Sequence, residues 1–213
     1  MNTAIKLAGV SKAFRGVPLF SDVNLEIEQG TIVGFRGANG SGKSVLFKLI
    51  AGLYAPDAGH ISIRGEKLGE KMDFPDRVGI LVDSPGFIEV FSGFENLRML
   101  AEIQGRIDQA AIRNAMKELG LDPENKKRVK NYSLGMKQKL GIIQATMEGQ
   151  DIVLLDEPFN ALDTASNQAL YGLIKRLRRD KATVLLTSHN PSDLAALCDL
   201  QYTVPTFEEW TSA

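Results

Sequence analysis

The chain has 213 residues, 44% of them hydrophobic and 24% charged, enough for one sizeable buried core. A formal net charge of −1 argues against a domain held on nucleic acid mainly by neutralising phosphates, and a single cysteine, Cys198, leaves no partner for an internal disulfide. No run reaches the ~18 apolar residues of a membrane span, and the opening MNTAIKLAGVSK lacks the apolar core of a secretory signal, so work at a membrane is expected only of a peripheral subunit.

In chain order, alternating Ile5, Leu7 and Val10, then Val23, Leu25 and Ile27, predict antiparallel strands joined near Arg15-Gly16. Residues 31–35 read as a strand that runs into a glycine-rich loop, and residues 43–53 have helical spacing. Strands follow at 59–65 and 78–82. From about 85 to 148 the apolar spacing turns helical, over 94–104, 108–119 with Asp108 as N-cap, and 134–147. Strands 152–155 and 183–187 then alternate with helices 165–179 and 191–198, and the stretch from 202 to 213 is weakly patterned. Apolar strands separated by helices imply a parallel sheet covered on both faces. The expected fold is α/β: a parallel-sheet core, an N-terminal antiparallel β lobe and an inserted helical subdomain. It forms a single domain over 1–213, with core and lobe in 1–84 and 149–213 and the insertion in 85–148.

Gly37-Ala38-Asn39-Gly40-Ser41-Gly42-Lys43-Ser44 fits G-x-x-x-x-G-K-[ST] between a strand and a helix, the phosphate-loop context. Glycines let backbone N–H groups converge on phosphate oxygens, and the helix adds its positive end. Lys43 is placed to reach the β- and γ-phosphates, and the Ser44 hydroxyl to bind Mg²⁺. Ile152-Val153-Leu154-Leu155-Asp156-Glu157 sets two carboxylates at the C-terminal end of an apolar strand, where open parallel sheets bind ligands. Asp156 suits the Mg²⁺ shell and Glu157 a general base that polarises water, a role worth ~10²–10⁴-fold.

Between and beyond these motifs the chain resembles the ATP-binding subunits of ABC transporters, with their phosphate-loop NTPase core. Tyr132-Ser133-Leu134-Gly135-Met136-Lys137-Gln138 resembles the family signature, Ala161-Leu162-Asp163 the D-loop, and His189 the switch histidine. The signature is similar to that of exporters of antibiotics, lantibiotics or other hydrophobic cargo. The resemblance implies an ATPase that uses ATP and Mg²⁺, in which two domains close head to tail on two ATP molecules. Each site would join the phosphate loop of one copy to Ser133 and Gly135 of the other. Asp163 would communicate across the dimer, and His189 would contact the γ-phosphate. Phe14 falls where the family places an aromatic that stacks on adenine, and the Val45 backbone N–H where the α-phosphate is met. The implied partners are an integral membrane permease and a second ATPase subunit, like or unlike, with no nucleic acid. The implied location is cytoplasmic, peripheral on the inner face of the cell membrane.

The chain departs from the family pattern at Asp83, where the Q-loop glutamine would fall. A carboxylate ~6 Å from a phosphate charge costs roughly 3 kcal/mol at an effective dielectric of ~20. Asp83 is therefore expected either to bind Mg²⁺ closely or to turn away; as a plain turn former it would simply end the strand before Ser84-Pro85. Arg36 is either a surface charge or a neighbour of phosphate. The basic run Lys126, Lys127, Arg128 and Lys130 is either a solvated loop or a contact with a partner or lipid headgroups. Phe87, Phe91 and Phe94 either face the permease or pack within the insertion. Two rival functions are a soluble ABC ATPase acting on a protein or nucleic-acid complex, and a nucleotide-sensing regulatory subunit.

Overall fold

The computed structural model describes residues 2–70, 72–83 and 86–204. The alternating apolar residues near the N-terminus form β1 (Thr3–Phe14) and β2 (Val17–Glu28), paired antiparallel with Ile5 opposite Ile27 and Val10 opposite Val23. Arg15 and Gly16 have φ of 51° and 80°, the left-handed pair that a two-residue hairpin needs to follow the strand twist. β3 (Ile32–Arg36) leads through the glycine-rich loop into α1 (Lys43–Ile50). β4 (Ala58–Ile63), β5 (Glu66–Lys67) and β6 (Val78–Leu81) follow.

Between β6 and the next strand lie α2 (Gly93–Gln104), α3 (Gln109–Glu118), a 3₁₀ turn and α4 (Leu134–Thr146). A reciprocal capping box, Ser92 with Glu95, starts α2. Asp108 caps α3 as expected, its carboxylate accepting from the Ala111 N–H at 2.8 Å. The chain ends in alternation: β7 (Ile152–Leu155), α5 (Thr164–Arg179), β8 (Thr183–Thr187), α6 (Pro191–Leu197) and β9 (Leu200–Thr203).

Two sheets result. The lobe is antiparallel, ordered β2-β1-β4-β5, and the core sheet is parallel, ordered β6-β7-β8-β3-β9. Its central strands alternate between two apolar layers, which explains their unbroken apolar runs. Leu154 and Leu185 face Ile5, Phe35 and Phe47 under the lobe and α1. Val153, Leu155 and Leu186 face Leu97, Ile143 and Leu173 of the helices. Fully burying such a side chain is worth ~1.5–3 kcal/mol, whereas an exposed ion pair is worth ~0–1, so the two layers hold the sheet. No helix among the described residues is long and apolar enough to cross a membrane.

Some expected boundaries shift. The helix expected to run to 53 ends at Ile50, and the turn after it closes at Gly52 with φ 76°. A Cβ on Gly52 would stand 2.3 Å from the Asp73 carbonyl, so the chain must turn there without a side chain. β9 begins at Leu200 and runs into the stretch from 202 expected to be weakly patterned; residues 205–213 of that stretch lie outside the described residues. Cys198 packs under the sheet, where a Cβ on Gly34 would come within 2.8 Å of its sulfur. Burial there pushes the Cys198 thiol up to about 12, which suits a packed residue and not a reactive one.

α4 lies against β6 at Gly79, where an added Cβ would meet the Ala145 carbonyl oxygen at 1.8 Å. Backbone faces backbone at this point, so no rotamer relieves the clash. Gly79→Ala is expected to destabilise the fold by ~1–3 kcal/mol or more, seen as a lower midpoint in urea unfolding. An unchanged midpoint would mean that α4 does not rest on β6 here.

Candidate active site

β7, β8 and β3 are neighbours and run parallel, so their C-terminal ends form one edge. The glycine-rich loop, Asp156-Glu157 and Ser188-His189 leave from that edge. Gly42 is the N-cap of α1 with φ 98° and offers no side-chain cap, which leaves the first N–H groups of the helix facing the loop. A Cβ on Gly37 would stand 2.4 Å from the Val204 carbonyl oxygen, so the loop starts where only glycine fits. Lys43 is buried, and its ammonium donates to the carbonyls of Gly37 at 2.8 Å and Ala38 at 3.0 Å, curling over the loop. The Ser41 hydroxyl oxygen is buried without a hydrogen-bond partner.

Asp156 is gripped from two sides. The Ser44 hydroxyl donates to one carboxylate oxygen, and the Thr187 hydroxyl donates to the other at 2.7 Å. The same Thr187 oxygen accepts the Glu157 N–H at 2.7 Å, which fixes Glu157 in a left-handed conformation, φ 48°. The His189 N–H donates to Glu157 Oε2 at 3.1 Å. His189 Nε2 stands 3.4 Å from Glu157 Oε1 but makes no hydrogen bond to it, and Oε1 is left buried without a donor. A buried carboxylate oxygen in that condition is costly unless a further donor arrives, and a water molecule is such a donor.

Phe14, Asn39, Gly40, Gly42, Lys43, Ser44, Val45, Asp156, Glu157 and His189 line one cleft of ≈ 380 Å³. A larger cavity of ≈ 440 Å³ lies at the opposite edge of the strands, beside Arg64, Asp151 and Thr183. It holds an Arg64–Asp151 ion pair but none of the converging groups just described. Hard oxygen donors, one hydroxyl and one carboxylate, meet at Ser44 and Asp156, a pair that fits Mg²⁺, which takes few protein ligands and keeps its waters.

Asp83 is directed elsewhere. It is an exposed residue at φ 57° and pairs with Lys48 of α1 at 2.5 Å. Its carboxylate is not among the groups that line the cleft. The hydrogen bond that Lys48 donates to Asp83 is the main reason that its ammonium titrates above its usual range, against the opposing effect of burial.

Ser133, Gly135 and Asp163 do not line the cleft of their own chain. Ser133 is exposed and caps α4, accepting from the Met136 N–H at 3.2 Å. A Cβ on Gly135 would stand 2.5 Å from the Ala161 carbonyl oxygen, so the signature and D-loop segments touch within one chain. Asp163 caps α5, and the hydroxyl and N–H of Ser166 hold its carboxyl below the usual range. Gln138 donates to the Glu157 carbonyl at 3.1 Å and ties α4 to the acidic pair.

Arg36 donates to Thr203 at the β3–β9 edge, outside the cleft. Phe87 and Phe94 pack on the helical side of the core, whereas Phe91 is exposed. Lys126, Lys127, Arg128 and Lys130 are all exposed. Thr187 contributes to the site although no motif marks it, and Gln138, the last residue of the signature segment, contributes through a contact that the motif does not indicate. The signal for Thr187 is its place at the C-terminal end of the strand beside the acidic one.

The fold and this edge of converging loops define a phosphate-loop nucleotide hydrolase core. The model of the family described as ABC transporter matches residues 20–160. The uncharacterized ABC transporter ATP-binding protein YybJ of Bacillus subtilis (strain 168) is 34% identical over 92% of this chain and 90% of its own length. The bacitracin transport ATP-binding protein BcrA of Bacillus licheniformis is 35% identical over 93% of this chain, which spans 66% of that relative's length. A dimeric post-hydrolysis state of an ATP-binding cassette bound to ADP and phosphate superposes with a TM-score of 0.85, covering 95% of this chain and 96% of that one. At 22% identity this last likeness is one of fold. The chain belongs to the ABC transporter ATP-binding family.

Thr187→Val keeps the shape of a fully buried side chain and removes the hydroxyl that joins Asp156 to Glu157. Leaving the Glu157 N–H unpaired is expected to cost ~1–3 kcal/mol in urea unfolding, together with a loss of ATP turnover in a phosphate-release assay. Wild-type values in both would remove Thr187 from the site.

Proposed function

We propose that this chain is an ATP-hydrolysing subunit that works as one of a pair and powers transport, in the direction of export, through a separate membrane permease. The observation that carries the hydrolytic part is the buried, donor-free oxygen of Glu157 beside the Ser44–Asp156 pair and the glycine-rich loop. ATP lies with its triphosphate along the N-terminus of α1, where the backbone N–H groups and Lys43 neutralise it. The Val45 N–H meets the α-phosphate. Phe14 takes the adenine by stacking, an interaction worth ~1–3 kcal/mol per base.

Ser44 and Asp156 hold Mg²⁺, which when bound draws charge from the phosphate oxygens. Glu157 Oε1 accepts a hydrogen bond from water and takes its proton as the water oxygen bonds to the γ-phosphorus and the bond to the β-phosphate oxygen breaks. ADP carries off the displaced electron pair. His189, held by its N–H on Glu157, turns its exposed ring to the γ-phosphate.

The second copy is supported by what this chain leaves outside its own cleft. Ser133 stands exposed at the N-terminus of α4, its hydroxyl within reach of an external phosphate. Asp163, at the N-terminus of α5, lies 4.0 Å from Lys139 of α4 and likewise outside the cleft. In this reading Ser133 and Gly135 complete the partner's site, and Asp163 reports across the dimer. A permease partner, cargo of the antibiotic class and a peripheral place on the inner face of the membrane are supported by the signature and by the bacitracin-transport relative. The division into core, 1–84 with 149–213, and helical subdomain, 85–148, belongs to the same proposal.

Glu157→Gln preserves size and loses the base. Phosphate release is expected to fall by ~10²-fold or more, while ATP affinity measured by calorimetry stays near that of the wild type. Turnover at the wild-type rate would contradict the assignment of Glu157.

A further inference from the structure

Phe14 is 42% exposed, unusual for a phenylalanine at the end of a strand, yet it is firmly placed. Its ring meets Tyr54 edge to face, with centroids 5.7 Å apart, and Lys12 Nζ lies over it at 5.4 Å. Lys12 is itself tied to the segment that carries Tyr54, donating to the Ala55 carbonyl at 2.9 Å and to Asp57 at 2.7 Å. Asp57 also accepts the Ala13 N–H at 2.7 Å, so the backbone next to Phe14 is stapled to the same segment.

On its other side Tyr54 has Lys48 Nζ 5.4 Å from its ring, and its N–H donates to the Lys48 carbonyl. Lys48 is oriented by Asp83. Tyr54 is thus the point at which the far end of α1 supports the aromatic beside the cleft, while the near end of α1 carries Lys43 and Ser44. One rigid helix sets both ends of the site.

We propose that Tyr54 is a positioning residue that holds Phe14 in the orientation for stacking on the nucleobase. The proposal rests on the reading of Phe14 as the base platform. Tyr54 has no claim on the phosphates, so its contribution is confined to ligands that carry a base.

The test is equilibrium binding by the purified full chain of two probes, ATP and inorganic tripolyphosphate. Tyr54→Leu is expected to weaken ATP binding about three- to tenfold, the scale of one aromatic pair, and to leave tripolyphosphate binding unchanged. Tyr54→Phe should restore ATP affinity. Phe14→Ala combined with Tyr54→Leu should bind ATP no more weakly than Phe14→Ala alone, since the prop is idle once the platform is gone. Wild-type ATP affinity in Tyr54→Leu, with a loss in Phe14→Ala, overturns the role of Tyr54 and spares the platform. Wild-type affinity in Phe14→Ala overturns the platform itself and the role of Tyr54 with it. Equal weakening of both probes, or additive losses in the double variant, would show that Tyr54 acts through the general fold and not through Phe14.

Discussion

The carboxylate of Asp156 is the tie on which this site depends. It stands at the end of a strand whose four residues are fully buried, so its position is set by the sheet and not by solvent. Ser44 reaches it from the helix after the glycine-rich loop, and Thr187 reaches it from the neighbouring strand. Three chain segments far apart in sequence are brought together by a single side chain. Thr187 then passes the constraint to Glu157, and Glu157 to His189. Moving Asp156 would displace Glu157, His189 and the hydroxyl at the start of α1 together.

Residue type and local spacing made the central parts of this arrangement legible. A loop that must turn tightly while presenting N–H groups needs glycines at fixed offsets, and two acids after an apolar strand sit at the sheet edge by topology alone. The hairpin at Arg15-Gly16 and the Asp108 cap are equally local and were legible for the same reason. Contacts made across the sheet were not. Thr187 and Gln138 act through partners 31 and 19 residues away, and no spacing rule encodes such pairs. β9 escaped because it is a short edge strand with mostly exposed residues, so it lacks the apolar run that marks β7 and β8.

Asp83 shows how a local departure is absorbed by its neighbours. Its carboxylate is paired with Lys48, which comes from the same helix that begins at the phosphate loop, and it stays outside the cleft. That ion pair also anchors the contacts that run through Tyr54 to Phe14. The exposed Ser133 and the side-chain-free approach of Gly135 to Ala161 place the signature segment at the surface, with Gln138 bonded to the acidic pair.

The central claim is that Asp156, with Ser44, is where the divalent cation of the nucleotide is held. The most direct measurement is the affinity for ATP with Mg²⁺ and with a chelator in its place, for the wild-type chain and for Asp156→Asn. The account predicts tighter ATP binding with Mg²⁺ in the wild type and the same affinity in both conditions for the variant. A variant that kept the full Mg²⁺ dependence of the wild type would contradict it.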